Sequence, residues 1–182
     1  PERGRRRVLR AQEFQHTLQG PAIFAGVGVH TGAYTRVAVR PAPTNSGIVF
    51  VRTDLTDRDN RVPATGEAVT KTQLGTVIEN AAGVSVSTIE HIMAALAGFA
   101  IHNALIEIDG PEVPILDGSA VPFIQGFLAA GIEEQLLPVR AVRVLKPVEV
   151  REGKAVARLE PAEMLEIDFR IDFTEKAIGV QS

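Results

Sequence analysis

Glu90 and His91 are the residues of this chain whose types and spacing best suit chemistry. They lie side by side in Ser87-Thr88-Ile89-Glu90-His91-Ile92-Met93-Ala94-Ala95-Leu96-Ala97-Gly98, a stretch with no other charged or imidazole side chain. An imidazole can ligate a metal, and a neighbouring carboxylate can take a proton from water, so the pair suits hydrolysis assisted by a Lewis acid. Each residue also has a plainer reading. Glu90, three residues after Ser87, fits a capping box that would start a helix at Thr88. His91 on its own reads equally well as a partly buried structural histidine. One histidine cannot complete a catalytic zinc site, which takes three protein ligands and an open position.

The elements around the pair follow from periodicity. Apolar residues at 89, 92, 93, 96 and 97 form the stripe of a helix packed on a core. The His91 side, with Ala94, Ala95 and Gly98, is small and uncharged, which predicts a helix covered on both faces. Upstream, Val27, Val29, Thr35, Val37 and Val39 alternate on either side of His30-Thr31-Gly32, predicting a hairpin over 22–40. Further strands are expected from Ile48, over Thr72–Ile78 and Val84–Val86, and over Ala104–Ile108. A second helix should start near Ser119, with Pro122 in its first turn and Gly131 as its C-cap. Strands, helix, strand, helix is the order of an α+β fold. The expectation is a two-layer sandwich: a mainly antiparallel sheet with helices on one face.

A weak repeat extends this plan. Val37-Ala38-Val39-Arg40-Pro41-Ala42 is echoed 120 positions later by Ala157-Arg158-Leu159-Glu160-Pro161-Ala162. The expected organisation is a basic, disordered tail over 1–18, a first domain over 19–138, and the opening strands of a similar second domain over 139–182. Those strands are expected at Val142–Val150, Ala155–Leu159 and Leu165–Phe173, with no helix to cover them. A start at Pro1 and a second copy without helices suggest a fragment.

Composition excludes several classes. Of 182 residues 45% are hydrophobic and none is Cys, which rules out disulfides and thiolate metal sites and suits a reducing cytoplasm. No apolar run reaches the ~18 residues of a membrane span. The net charge of −3 conceals a +4 segment at residues 1–10, with five Arg and one Glu, leaving −7 for the rest. With one Tyr and no Trp, the acidic remainder offers no stacking platform for nucleic acid.

Ser87-Thr88-Ile89-Glu90-His91, continued by Ala94-Ala95-Leu96-Ala97-Gly98, resembles the zinc-site helix of the UDP-3-O-acyl-N-acetylglucosamine deacetylases, enzymes of lipid A synthesis. Gly26-Val27-Gly28-Val29-His30-Thr31-Gly32 is similar to that family's first hairpin, and Glu112-Val113-Pro114-Ile115-Leu116-Asp117-Gly118-Ser119 to its E-[IV]-P-x-x-D-G-S loop. Arg52-Thr53-Asp54-Leu55 and Ile178-Gly179-Val180-Gln181-Ser182 also match, so the resemblance runs from about residue 19 to the last residue. It implies two similar α+β domains with their helix layers packed together and the active site at the junction. It implies Glu90 as general base, His91 as a ligand of Zn2+ through Nε2 or Nδ1, and Thr72, Gln73 and Leu74 as lining of the substrate channel. His30 is a further candidate near the site, open to a plain turn role. Asp117 is expected to fix its loop rather than take part in chemistry. The substrate implied is a UDP-linked, 3-O-acylated N-acetylglucosamine, whose 2-acetamide is hydrolysed. The family's H-x-x-x-D motif, which carries the other ligands, is absent from this sequence. The chain alone is therefore expected to be inactive and, with a small-residue helix face left bare, to self-associate. A shortened, non-catalytic relative that binds a partner or nucleotide-sugar is the alternative.

Overall fold

The computed structural model describes residues 14–163 and 165–182, which fall into two compact units, 14–139 and 140–182. In the first unit the elements are β1 (Phe14–Leu18), β2 (Ala22–Val27), β3 (Tyr34–Pro41), β4 (Ile48–Arg52), β5 (Arg61–Pro63), β6 (Val69–Lys71), β7 (Val77–Glu79), β8 (Ser85–Ser87), α1 (Glu90–Gly98), β9 (Ala104–Ile108), α2 (Val121–Ala130) and β10 (Ile132–Pro138). The fold is α+β, as expected.

Its centre is a five-stranded sheet in the order β2-β3-β9-β4-β5. Neighbours are antiparallel except β4 and β9, which run parallel. Register places Ala22, Val39, Ile106, Phe50 and Val62 in one row across the sheet, and Phe24, Val37 and Ile108 in the next. All are buried, because side chains alternate along a strand and these point to the same face. The helices close that face with Ile92, Ala95, Leu96, Phe123 and Phe127. The Phe24 ring meets Phe123 at 4.9 Å and Phe127 at 5.8 Å, both edge-on, as aromatic quadrupoles prefer.

Several local expectations are corrected. The β2–β3 hairpin forms, but Val27 and Val29 are exposed; Ala22 and Phe24 are the inward residues of β2. Residues 14–18, assigned to a tail, are strand β1, paired antiparallel with β10. The expectation for residues 1–13 lies outside the described residues. Helix α1 starts at Glu90, not Thr88, and no side chain caps it. Ser87 instead ends β8 and donates its hydroxyl to Pro111 O at 3.1 Å. Thr88 adopts φ +58, a left-handed turn that breaks the helix at that point. The buried arc of α1 is centred on Ile92 and takes in Ala95 rather than Ala97, since α2 packs beside α1; Ala94, Ala97 and Gly98 are exposed. Residues 72–76 form a loop between β6 and β7, not a strand. α2 keeps its predicted form, with Pro122 in the first turn and Gly131 at φ +78 after the end.

The second unit contains a hairpin of β11 (Val148–Glu152) and β12 (Ala155–Leu159), and a short pair, β13 (Ile171–Asp172) with β14 (Val180–Gln181). Gly153 at φ +58 makes the two-residue hairpin turn. Residues 142–147 and 165–170 are not strands, because nothing in this unit pairs with them. Nearly every side chain is exposed, and among the described residues the unit has no helix. Among the described residues of the whole chain, no helix is long and apolar enough to cross a membrane.

Candidate active site

The left-handed turn at Thr88 decides where α1 points its first two side chains. After it the chain enters the helix at Glu90, with 38% of the carboxylate side chain open to solvent. Glu90 Oε2 accepts the Thr76 amide at 3.0 Å. This bond, not a capping box, fixes the carboxylate. Glu90 Oε1 lies 4.0 Å from His91 Nε2, beyond hydrogen-bond distance and near enough for both to address one small group.

His30 arrives from the β2–β3 turn. Its Nε2–H donates to Leu74 O at 2.9 Å, which orients the ring and leaves Nδ1 as the acceptor in the neutral form. Between the two groups runs Gly75. A Cβ there would stand 3.4 Å from His30 Nε2 and 3.5 Å from Glu90 Oε1, so the 72–76 loop threads past both. The structure thus brings together Glu90, His91, His30 and the backbone of Leu74 and Thr76. The Leu74 side chain is 83% exposed at φ +60. Thr72 and Gln73 are exposed on the same loop. A shallow apolar cavity lined by Val69, Ile78, Ile89 and Met93 opens at Glu90.

Asp117 fixes its loop, as read from the sequence. Its Oδ1 accepts the Ser119 amide at 2.9 Å and the Ser119 hydroxyl at 2.8 Å, and Ser119 Oγ accepts the Val121 amide at the start of α2. The Ser119 amide and hydroxyl hold the Asp117 carboxyl below its usual range, and the nearby His91 adds a smaller effect.

Glu112 was only a letter in a motif, and the structure makes it a hub. It is wholly buried. Oε1 accepts the His30 amide at 3.0 Å and the Thr88 hydroxyl at 2.9 Å; Oε2 accepts the Thr31 amide at 2.8 Å and the Thr31 hydroxyl at 2.6 Å. Burial alone would raise this carboxyl. The Thr31 hydroxyl, the His30 and Thr31 amides and the Thr88 hydroxyl outweigh it and bring it down to about 2. Gly28 is required beside it, since a Cβ there would overlap Glu112 Oε2.

The donors suit part of a metal centre. Catalytic zinc takes three protein ligands. Among the described residues no group of three or more His, Cys, Asp or Glu side chains is arranged to hold a metal. What is present fits one imidazole ligand with a carboxylate beside it.

Fold and site together define a class: a two-layer α+β domain that presents an acid–imidazole pair at a helix start, beneath a loop. The chain belongs to the UDP-3-O-acyl N-acetylglycosamine deacetylase family, whose model matches residues 15–182. It is similar to the UDP-3-O-acyl-N-acetylglucosamine deacetylase of Phenylobacterium zucineum (strain HLK1), at 60% identity over 169 residues, 93% of this chain and 58% of the relative. The enzymes of that name from Shewanella frigidimarina (strain NCIMB 400) and Shewanella baltica (strain OS155 / ATCC BAA-1091) are each 45% identical over 166 residues, 91% of this chain and 54% of theirs. The chain therefore spans a little over half the length of the curated relatives it matches.

Proposed function

We propose that this chain supplies the general base and one metal ligand of a zinc-dependent deacetylase. Its substrate would be a UDP-linked, 3-O-acylated N-acetylglucosamine, cut at the 2-acetamide in the cytoplasm. The carrying observation is the pairing of Glu90 and His91, 4.0 Å apart, with the other Glu90 oxygen tied to the Thr76 amide. A carboxylate held by one oxygen keeps the second free for a proton, as a general base requires. Zinc, when bound, supplies a Lewis acid that polarises the acetamide carbonyl and makes water acidic enough to lose a proton near neutral pH. His91 would be its ligand from this chain. Glu90 accepts the proton of the attacking water and passes it to the departing nitrogen. The amide C–N bond breaks, acetate leaves, and the sugar keeps a free amine. His30 and the 72–76 loop, including Thr72, Gln73 and Leu74, line the approach to this centre and are assigned to substrate binding.

The 182-residue chain taken alone is expected to be inactive, because one ligand of three does not hold zinc against water. Calorimetric zinc titration with a parallel deacetylation assay tests this on the chain and on the full-length protein. Expected are weak zinc binding and no turnover for the chain, and tight binding with turnover for the full-length protein. Tight one-to-one binding through His91 with turnover by the chain alone would overturn the shared-site reading.

A further inference from the structure

We propose that Glu112 is a positioning residue of this site: its carboxylate locks the His30 turn and the Thr88 turn together and thereby places Glu90. The inference rests on the reading of Glu90 as general base.

The first observation is chemical. The buried carboxylate accepts four hydrogen bonds, all from neutral donors, and no cation touches it among the described residues. A buried charge without a countercharge is a costly way to fill space. Only a carboxylate, though, offers acceptors on both ends and no donor. The pattern of donors demands that chemistry.

The second observation is where the donors come from. His30 and Thr31 belong to the β2–β3 turn, and Thr88 to the link between β8 and α1. Glu112's own main chain is pinned on both sides. Ser87 N donates to Pro111 O at 2.9 Å, Val113 N donates to Ser87 O at 3.1 Å, and the Thr35 hydroxyl donates to Glu112 O at 2.9 Å. The carboxylate is thus a fixed post on which two turns hang.

The third observation is strain. Thr88 is β-branched and sits at φ +58, a left-handed conformation that β-branched residues rarely adopt and that the surroundings must hold in place. The bond from its hydroxyl to Glu112 holds that turn, and Glu90 follows two residues later. At the outer end Glu90 and His30 are both tied to residues 74–76, through the Thr76 amide and Leu74 O. Releasing the inner post would leave both side chains held from one end only.

The test uses the full-length enzyme with Glu112→Gln, Thr88→Val, Thr88→Ser, and Glu90→Gln as reference. Gln puts an NH2 where only acceptors are wanted; Val removes the Thr88 hydroxyl and keeps its shape; Ser restores the hydroxyl. By analogy with the partners that orient metal ligands, whose loss typically costs about 10–100-fold, Glu112→Gln and Thr88→Val are expected to lower kcat by that factor. KM should move less than about threefold, and Thr88→Ser should stay within about threefold of wild type in kcat. Amide hydrogen exchange should speed up at His30, Thr31 and Thr76 in the two damaged variants. In the wild type the His30 and Thr31 amides should be protected; exchange at the rate of an open turn would overturn the proposal outright. So would a folded Thr88→Val with kcat within about twofold of wild type, since a loss of stability alone would mark Glu112 as a plain staple. If Glu112→Gln does not fold, the Thr88 pair and the wild-type exchange decide. If Glu90→Gln itself keeps wild-type turnover, the general-base reading fails, and the exchange data still judge the link between the two turns.

Discussion

Glu90 and Glu112 are two carboxylates with opposite duties, and solvent separates them. Glu90 is partly open and held by one amide, whereas Glu112 is wholly buried and saturated by four donors. The Glu112 carboxyl falls from 4.5 to about 2 on folding, so its contribution is complete above pH 4.5 and is lost as pH falls toward 2. Urea unfolding across that window should show a steeper loss in wild type than in Glu112→Gln; equal slopes would contradict the assignment. His102 gives a second window. Burial first, and His16 second, lower it from 6.5. Its Nδ1 accepts the His16 amide at 3.0 Å, and His16 in turn faces Glu134 at 3.8 Å. A proton on His102 Nδ1 removes that acceptor. The stabilising effect is therefore present above pH 6.5 and is lost as pH falls through the lowered value, a step expected to vanish in His102→Asn. The sequence displayed Glu90 and His91 as neighbours, but it hid the hub. Glu112's partners lie 24, 81 and 82 positions away, and no local pattern links them.

At the scale of elements, alternation and turn chemistry were enough for the β2–β3 hairpin and for α2. They failed where polar groups do structural work. Strand β1 escaped because two of its three buried residues, Gln15 and Thr17, are polar and are satisfied by Asn45, Asn103 and the main chain, leaving Leu18 as its one apolar core contact. The start of α1 was misread because Ser87 bonds to Pro111 and the chain turns at Thr88. The two helices also treat their glycines differently. A Cβ on Gly126 of α2 would press into the Phe24 ring, whereas one on Gly98 of α1 meets nothing within 4 Å. Alanine suits helix interiors better than glycine by about 0.8–1 kcal/mol. Gly98→Ala should raise the stability of the chain by up to about that amount. Gly126→Ala should instead destabilise it by about 1–3 kcal/mol through overpacking. Thermal melts of the two variants check this; the same sign for both would mean that α2 does not seat on Phe24 as described.

At the scale of the whole molecule, the chain exposes many large apolar side chains, and exposed apolar surface favours association. Val121 and Leu128 stand out from α2, and in the second unit Val150, Leu165, Ile167 and Phe169 face solvent. The repeat read from sequence falls on matching places, since Val37–Pro41 and Ala157–Leu159 both lie on the outgoing strand of a hairpin. We expect the 182-residue chain to self-associate through these surfaces, so that its sedimentation coefficient rises with concentration; a single concentration-independent monomer would count against that. The chain spans a little over half the length of its curated relatives, which is why the central test is made on the full-length protein. The most direct test is kcat of Glu90→Gln in the full-length enzyme, with zinc content measured on the same sample and His91→Ala in parallel. Glu90→Gln should keep its zinc and lose roughly 10²–10⁴-fold in kcat, the range of a positioned general base, while His91→Ala should lose zinc. A Glu90→Gln enzyme with near-wild-type kcat would contradict the account.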